Sequence, residues 1–268
     1  MSVPRDQPSS APGGVANADY SRREFVFLLG CSAATVLGCN APTVVQNGSA
    51  RLEARPGTPS GSATPGLVRL MLGASRDGHL LVPQSYDPQT PTPLVLALHG
   101  AGGSANGPLA FLGPYAESYG FLLLAVDSLG ITWDAIRGNY DTDVLFIDRA
   151  LGETFDRCAV DPARIVVEGF SDGASYALGL GLANGDLFSR VVAFSPGFIP
   201  PSDSPPLGRP EIFVSHGRQD PVLPIDSTSR VIVATLQQAG HPVTYLEFDG
   251  GHEVPAAVAD DAVRWLLR

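Results

Sequence analysis

Three stretches far apart in the chain carry the side-chain types that nucleophilic hydrolysis needs: VEGFSDGAS at residues 167–175, SHGRQDPVLP at 215–224 and GGHEVP at 250–255. A serine hydroxyl is a poor nucleophile at neutral pH; it needs an imidazole to take its proton and an acid to orient that imidazole. Ser171 stands between Gly169 and Gly173, and three histidines follow it. His216 sits inside the apolar run EIFVSHG and His241 directly before Pro242, whereas His252 follows VTYLEFDGG, at the carboxyl end of the last apolar run. A histidine there can swing over a sheet edge. For the acid, Asp220 is followed by Pro221, which stiffens its loop; Asp203 in a Pro-rich stretch, Asp226 at a helix start and Asp249 on the same strand end as His252 compete with it.

These residues must be positioned by the elements around them. RIVVEGF reads as a buried strand and DGASYALGLGLA as a helix, so Ser171 falls at a sharp strand-to-helix turn. Side chains at 169 or 173 would clash in such a turn, which accounts for both glycines. The turn lifts the Ser171 hydroxyl above the sheet and puts the Asp172 N–H at a positively polarised helix N-terminus, as an oxyanion donor. ALHGAGGSANG (97–107) follows an earlier strand, and its glycines free the Ala101 N–H as the second donor, with His99 as a structural support under that loop. Trp133, in DSLGITWD on the same rim, either walls the substrate pocket or anchors its loop. Phe170 and Phe198 are further rim candidates.

The strand pattern sets the scaffold. LVRLMLG (67–73) and HLLVPQSY (79–86) read as an opening hairpin. Six further apolar runs, at 93–100, 121–127, 164–170, 190–196, 211–217 and 243–250, alternate with helical stretches near 104–118, 141–157, 172–184, 226–239 and 254–267. Several runs are apolar throughout, as in strands covered on both faces. The fold class is therefore α/β: an eight-stranded, mostly parallel sheet, doubly wound with helices.

Composition removes other chemistries. The chain has 268 residues, enough for one large α/β domain, and its 17 basic residues are all arginines. Without lysine there is no P-loop lysine and no Schiff base. The net charge of −10 repels phosphate backbones, which argues against nucleic-acid partners.

The N-terminus reads as a targeting segment over residues 1–38. Arg22 and Arg23 in SRREFVF resemble a twin-arginine export signal, and the apolar run from Phe25 to Gly38 is shorter than the ~20 residues that span a bilayer. It ends in VLGC, which looks like a bacterial lipobox with Cys39 as the lipidated residue; LLGC at Cys31 leaves too short an apolar run before it. Residues 39–66, rich in Pro, Gly, Ser and Thr, read as a flexible tether. The expectation is an exported protein whose membrane contact is a lipid on Cys39. Cys158 reads as a small buried apolar residue.

From residue 67 to 268 the chain resembles the α/β-hydrolases, and LHGAGG, GFSDG, HGRQDPVLP and GGHEVP are similar to segments of the phospholipase/carboxylesterase and polyhydroxybutyrate-depolymerase-like esterase group. The resemblance implies ester hydrolysis with Ser171 as nucleophile, Asp220 as orienting acid, His252 as base and the amides of Ala101 and Asp172 as oxyanion hole. It implies no metal and no organic cofactor. The chain departs from lipases in having only GFIPPSDSPPLGRP (197–210) where they carry a helical lid, so small-molecule or polymer-borne esters are the expected substrates. A peptidase on the same fold and a non-catalytic ligand-binding lipoprotein are the rival readings.

Overall fold

The computed structural model describes residues 48–73 and 75–268. The arginine pair and the Cys39 lipobox lie outside the described residues.

Eight strands form one sheet: β1 (Gly66–Arg69), β2 (Gly78–Val82), β3 (Thr92–Leu98), β4 (Leu122–Val126), β5 (Val160–Phe170), β6 (Arg190–Phe194), β7 (Glu211–Gly217) and β8 (Val243–Phe248), in the order β1-β2-β4-β3-β5-β6-β7-β8. The first two are antiparallel to each other, and β2 is antiparallel to β4. From β4 through β8 every pairing is parallel. TPLVLAL of β3 and LLLAV of β4 are buried at every position because helices cover both faces.

Alternate residues divide the core into two layers. Val95, Ala97, Leu123, Val166, Val192 and Phe194 pack with α1 (Asn106–Tyr119) and α6 (Ala256–Leu266). Leu94, Leu96, Leu124, Ile165, Val167 and Val191 face α3 (Thr142–Arg157), α4 (Asp172–Ala183) and α5 (Ser229–Gln238). A four-residue helix, α2 (Asp134–Arg137), follows β4; it is too short to carry a periodic signal. A 3₁₀ turn at Ile225–Ser227 delays α5 until Ser229, three residues after the expected start.

The flexible tether is corrected from residue 48 onward, where the chain is strapped to the domain. Ala50 and Leu52 are fully buried in the larger core layer. The Leu52 N–H donates to Asn184 Oδ1 at 2.9 Å, and the amides of Glu53 and Ala54 both donate to Asp148 Oδ1. Arg51 grips Asp186 with two parallel hydrogen bonds of 2.8 and 2.7 Å, and Arg55 adds a third contact to the same carboxylate. Further along, the Gly61 N–H donates to Asp156 O. Composition averaged over 39–66 hides the short SARLEARP segment, whose two apolar anchors and two arginines each find a site.

Candidate active site

Ser171 closes the turn from β5 into α4. Its backbone, at φ 57° and ψ −118°, occupies a conformation that a serine adopts only when its surroundings enforce it. The Ser171 N–H donates to Phe194 O of β6, and the tight approach of α4 to the sheet does the rest. A Cβ on Gly169 would overlap the Gly173 backbone, and one on Gly173 would overlap the carbonyls of Leu98 and His99. Backbone atoms cannot step aside, so both glycines are structural requirements of the turn. The serine itself is 8% exposed.

His252 reaches this serine from the loop after β8. Its Nε2 lies 2.9 Å from Ser171 Oγ and its Nδ1 lies 2.6 Å from Asp220 Oδ2. The carboxylate can only accept, so Nδ1 carries the proton and Nε2 accepts from the serine hydroxyl. The imidazole also packs on Phe170, with ring centroids 4.8 Å apart.

Asp220 is buried in the loop after β7, where Oδ1 accepts the N–H groups of Val222 and Leu223 at 2.8 and 2.9 Å. Burial pushes its carboxyl towards neutrality, but hydrogen bonds from His216 and His252 and from the Leu223 amide outweigh that and hold it well below the ordinary carboxylate range. It is an anion at any physiological pH. Its competitors are engaged elsewhere: Asp203 with Gly48, Asp226 with Arg230 and Asp249 with Arg218.

The loop after β3 lies against the serine. A Cβ on Gly100 would sit 3.4 Å from the Ser171 Cβ. The next amides, Gly102 and Gly103, donate to Ile131 O and Gly100 O, leaving the intervening Ala101 N–H uncommitted among the described residues. The Asp172 N–H is a first-turn donor without an intrahelical partner. The Asp172 carboxylate accepts the Thr132 hydroxyl at 2.6 Å. His99 supports the loop from below: Nδ1–H donates to Gly100 O at 2.7 Å, and Nε2 accepts the Ser128 N–H at 3.0 Å. Burial lowers its pKa, in keeping with a neutral ring.

Of the three rim aromatics, only two sit at the surface. Trp133 is 0% exposed, donates its Nε1–H to His99 O at 2.9 Å and packs on Tyr176, so it anchors the loop and walls no open pocket. Its indole N–H finds its partner inward, and that fixes the ring there. Phe198 is 41% exposed and lines a cavity of about 250 Å³ with Ile199, Thr228 and Val231. The 197–210 loop carrying it contains no helix, and its start is held by the Gly197 N–H donating to Ser175 Oγ at 2.9 Å. Cys158 is fully buried, which pushes its thiol up to about 11 and leaves it unreactive.

His216 contributes to the site although its apolar strand gives no hint of it. Its Nε2 is 3.1 Å from Asp220 Oδ2. The four-residue spacing from His216 to Asp220 is the signal in the sequence that could have found it.

Residues 142–263 match the Phospholipase/Carboxylesterase family. The feruloyl esterase C of Emericella nidulans is 28% identical over 226 residues, an alignment covering 70% of this chain and 82% of that one. Among solved structures, esterase PE8 superposes with a TM-score of 0.59 at 22% identity, covering 72% of this chain and 99% of its own. A ferulic acid esterase from Anaeromyces mucronatus, in complex with ferulic acid, superposes at 0.55 with 16% identity, covering 73% and 87%. At those identities the superpositions speak for the fold alone. The chain has the α/β-hydrolase fold, and its residues 142–263 match the phospholipase/carboxylesterase family.

Proposed function

We propose that the protein hydrolyses carboxylic esters through a covalent acyl-enzyme on Ser171. The observation that carries this reading is the continuous relay from Ser171 Oγ to His252 and on to Asp220, at 2.9 and 2.6 Å. His252 takes the serine proton as Oγ attacks the ester carbonyl, then gives it to the departing alcohol; water repeats the sequence and frees the acid. Asp220 stays ionised, holds the Nδ1–H tautomer and stabilises the imidazolium. The amides of Ala101 and Asp172 receive the oxyanion, and each such donor contributes about 10²- to 10³-fold in turnover.

The substrate class we propose is an ester with a small or aromatic acyl group on an exposed or polymer-borne alcohol, with hydroxycinnamoyl esters first. The lidless 197–210 loop and the exposed Phe198 favour an open cleft, and a relative 28% identical over 70% of this chain is named a feruloyl esterase. Phe170 and Phe198 are the proposed aromatic contacts. We further propose export through the twin-arginine segment and anchoring by a lipid on Cys39, for which loss of radiolabelled lipid in Cys39→Ala is the test.

A fluorophosphonate adduct mapped to Ser171, together with hydrolysis of p-nitrophenyl acetate and methyl ferulate that disappears in Ser171→Ala, is the expected result. Ester turnover surviving in a clean Ser171→Ala preparation overturns the assignment.

A further inference from the structure

Asp220 serves two histidines. His216 lies on β7 with its side chain wholly buried, and its Nε2 stands 3.1 Å from Asp220 Oδ2 and 2.8 Å from Leu223 O. Both neighbours are acceptors: a carbonyl has no proton to give, and the carboxylate is ionised. A bare ring nitrogen there would hold its lone pair against two oxygens with no water to intervene. Nε2 therefore carries the proton and shares it between them. Nδ1 is left to accept, and its partner is the Ser229 hydroxyl at the start of α5. The two acceptors on Nε2 thus select this tautomer, and the Ser229 hydroxyl satisfies its Nδ1.

The geometry points to His216 as a positioning residue for the ester-hydrolysing triad, with the Ser229 hydroxyl holding its Nδ1, so that the relay runs Ser229–His216–Asp220–His252–Ser171. Asp220 Oδ1 is filled by two backbone amides and Oδ2 by two imidazoles, which leaves the carboxylate one orientation. His216 also ties the 220–223 turn back to β7 through Leu223 O. It shares the charge of Asp220 and so tempers the pull of that carboxylate on the proton of His252. The other charges on this side of the sheet, Glu247 on β8 with Arg218 and Arg230, pair among themselves.

This inference rests on the esterase reading, and its test separates the two. Wild type, His216→Met, His216→Gln and Ser229→Ala are titrated with a fluorophosphonate to count competent sites, and p-nitrophenyl acetate hydrolysis is followed against pH. His216→Met is expected to lose about tenfold or more in kcat per titrated site, the scale of one hydrogen bond to a charged group, with KM within about twofold. The acid limb of kcat/KM moves to higher pH, because Asp220 with one donor fewer holds the His252 proton more firmly. His216→Gln, which keeps a donor near the Nε2 position, recovers most of both. Ser229→Ala shifts both in the same direction by less, and it decides the matter if His216→Met fails to fold. A fully titratable His216→Met, or in its absence Ser229→Ala, with unchanged kcat and acid limb overturns the positioning role alone. A wild type that neither labels at Ser171 nor hydrolyses esters overturns the esterase reading itself and the positioning role with it.

Discussion

Asp220 Oδ2 accepts the Nδ1–H of His252 at 2.6 Å while its Oδ1 is occupied by backbone amides, so the carboxylate cannot turn away from the imidazole. Replacing Asp220 by Asn keeps the shape and the backbone contacts but lets an amide N–H face the ring. The ring then protonates on Nε2 and can no longer accept from Ser171. Asp220→Asn is expected to lower kcat by about 10⁴-fold, the loss seen in serine hydrolases whose acid is neutralised. Unchanged near-ultraviolet circular dichroism beside the kinetic loss would locate the defect in the tautomer and not in the fold.

The glycine at 173 makes a sharper structural claim than the serine two residues before it. Its missing side chain is where the carbonyls of Leu98 and His99 lie. Gly173→Ala must push α4 off β3 and drag Ser171 with it, so both fluorophosphonate labelling and melting temperature should fall. At Gly152 in α3 an added Cβ would meet nothing within 4 Å, and Gly152→Ala should leave both at or above wild type. Equal behaviour of the two alanine variants would contradict the account of the turn.

The strap predicts where the domain really begins. Leu52 is fully buried, and truncating such a leucine costs about 2–5 kcal/mol, whereas the part-exposed Arg51–Asp186 pair contributes under about 1 kcal/mol. A fragment starting at Gly66 should therefore melt well below one starting at Gly48, and Leu52→Ala should reproduce most of the difference where Arg51→Ala does not. Coincident melting curves for the two fragments would return residues 48–65 to the status of a tether.

Much of this architecture is readable in the chain because the signals are periodic or punctuated. Continuous apolar runs mark β3 and β4, and glycines bracket the Ser171 turn, so the sheet and the serine, aspartate and histidine that meet above it can be picked from residue types alone. What escapes lacks periodicity. Leu52 and Ala50 are isolated apolar residues in a Pro- and Gly-rich stretch, and only tertiary contact gives them a site. Trp133 has the composition of a rim aromatic, and its inward turn depends on the His99 carbonyl 34 positions away. His216 in an apolar strand resembles a packed core histidine until the Asp220 loop folds over it.

Glu168 supplies a pH signature of the fold. It sits near the carboxyl end of β5, buried between β3 and β6, with Oε2 unpaired. Burial pushes its carboxyl from 4.5 up to about 8, so the folded protein holds a proton that the unfolded chain releases. Below pH 4.5 both states are protonated and the group is neutral in the balance. Between the two values the folded state binds more protons, so stability falls as pH rises, and above about 8 the cost is complete. At pH 7 that cost is on the order of 3 kcal/mol, from the roughly 1.36 kcal/mol carried by each unit of separation. Glu168→Gln mimics the protonated acid without the ionisation, so its melting temperature should run level with wild type near pH 5 and rise progressively above it towards pH 8. Parallel melting temperatures across that interval would mean that Glu168 finds a partner for its charge in solution.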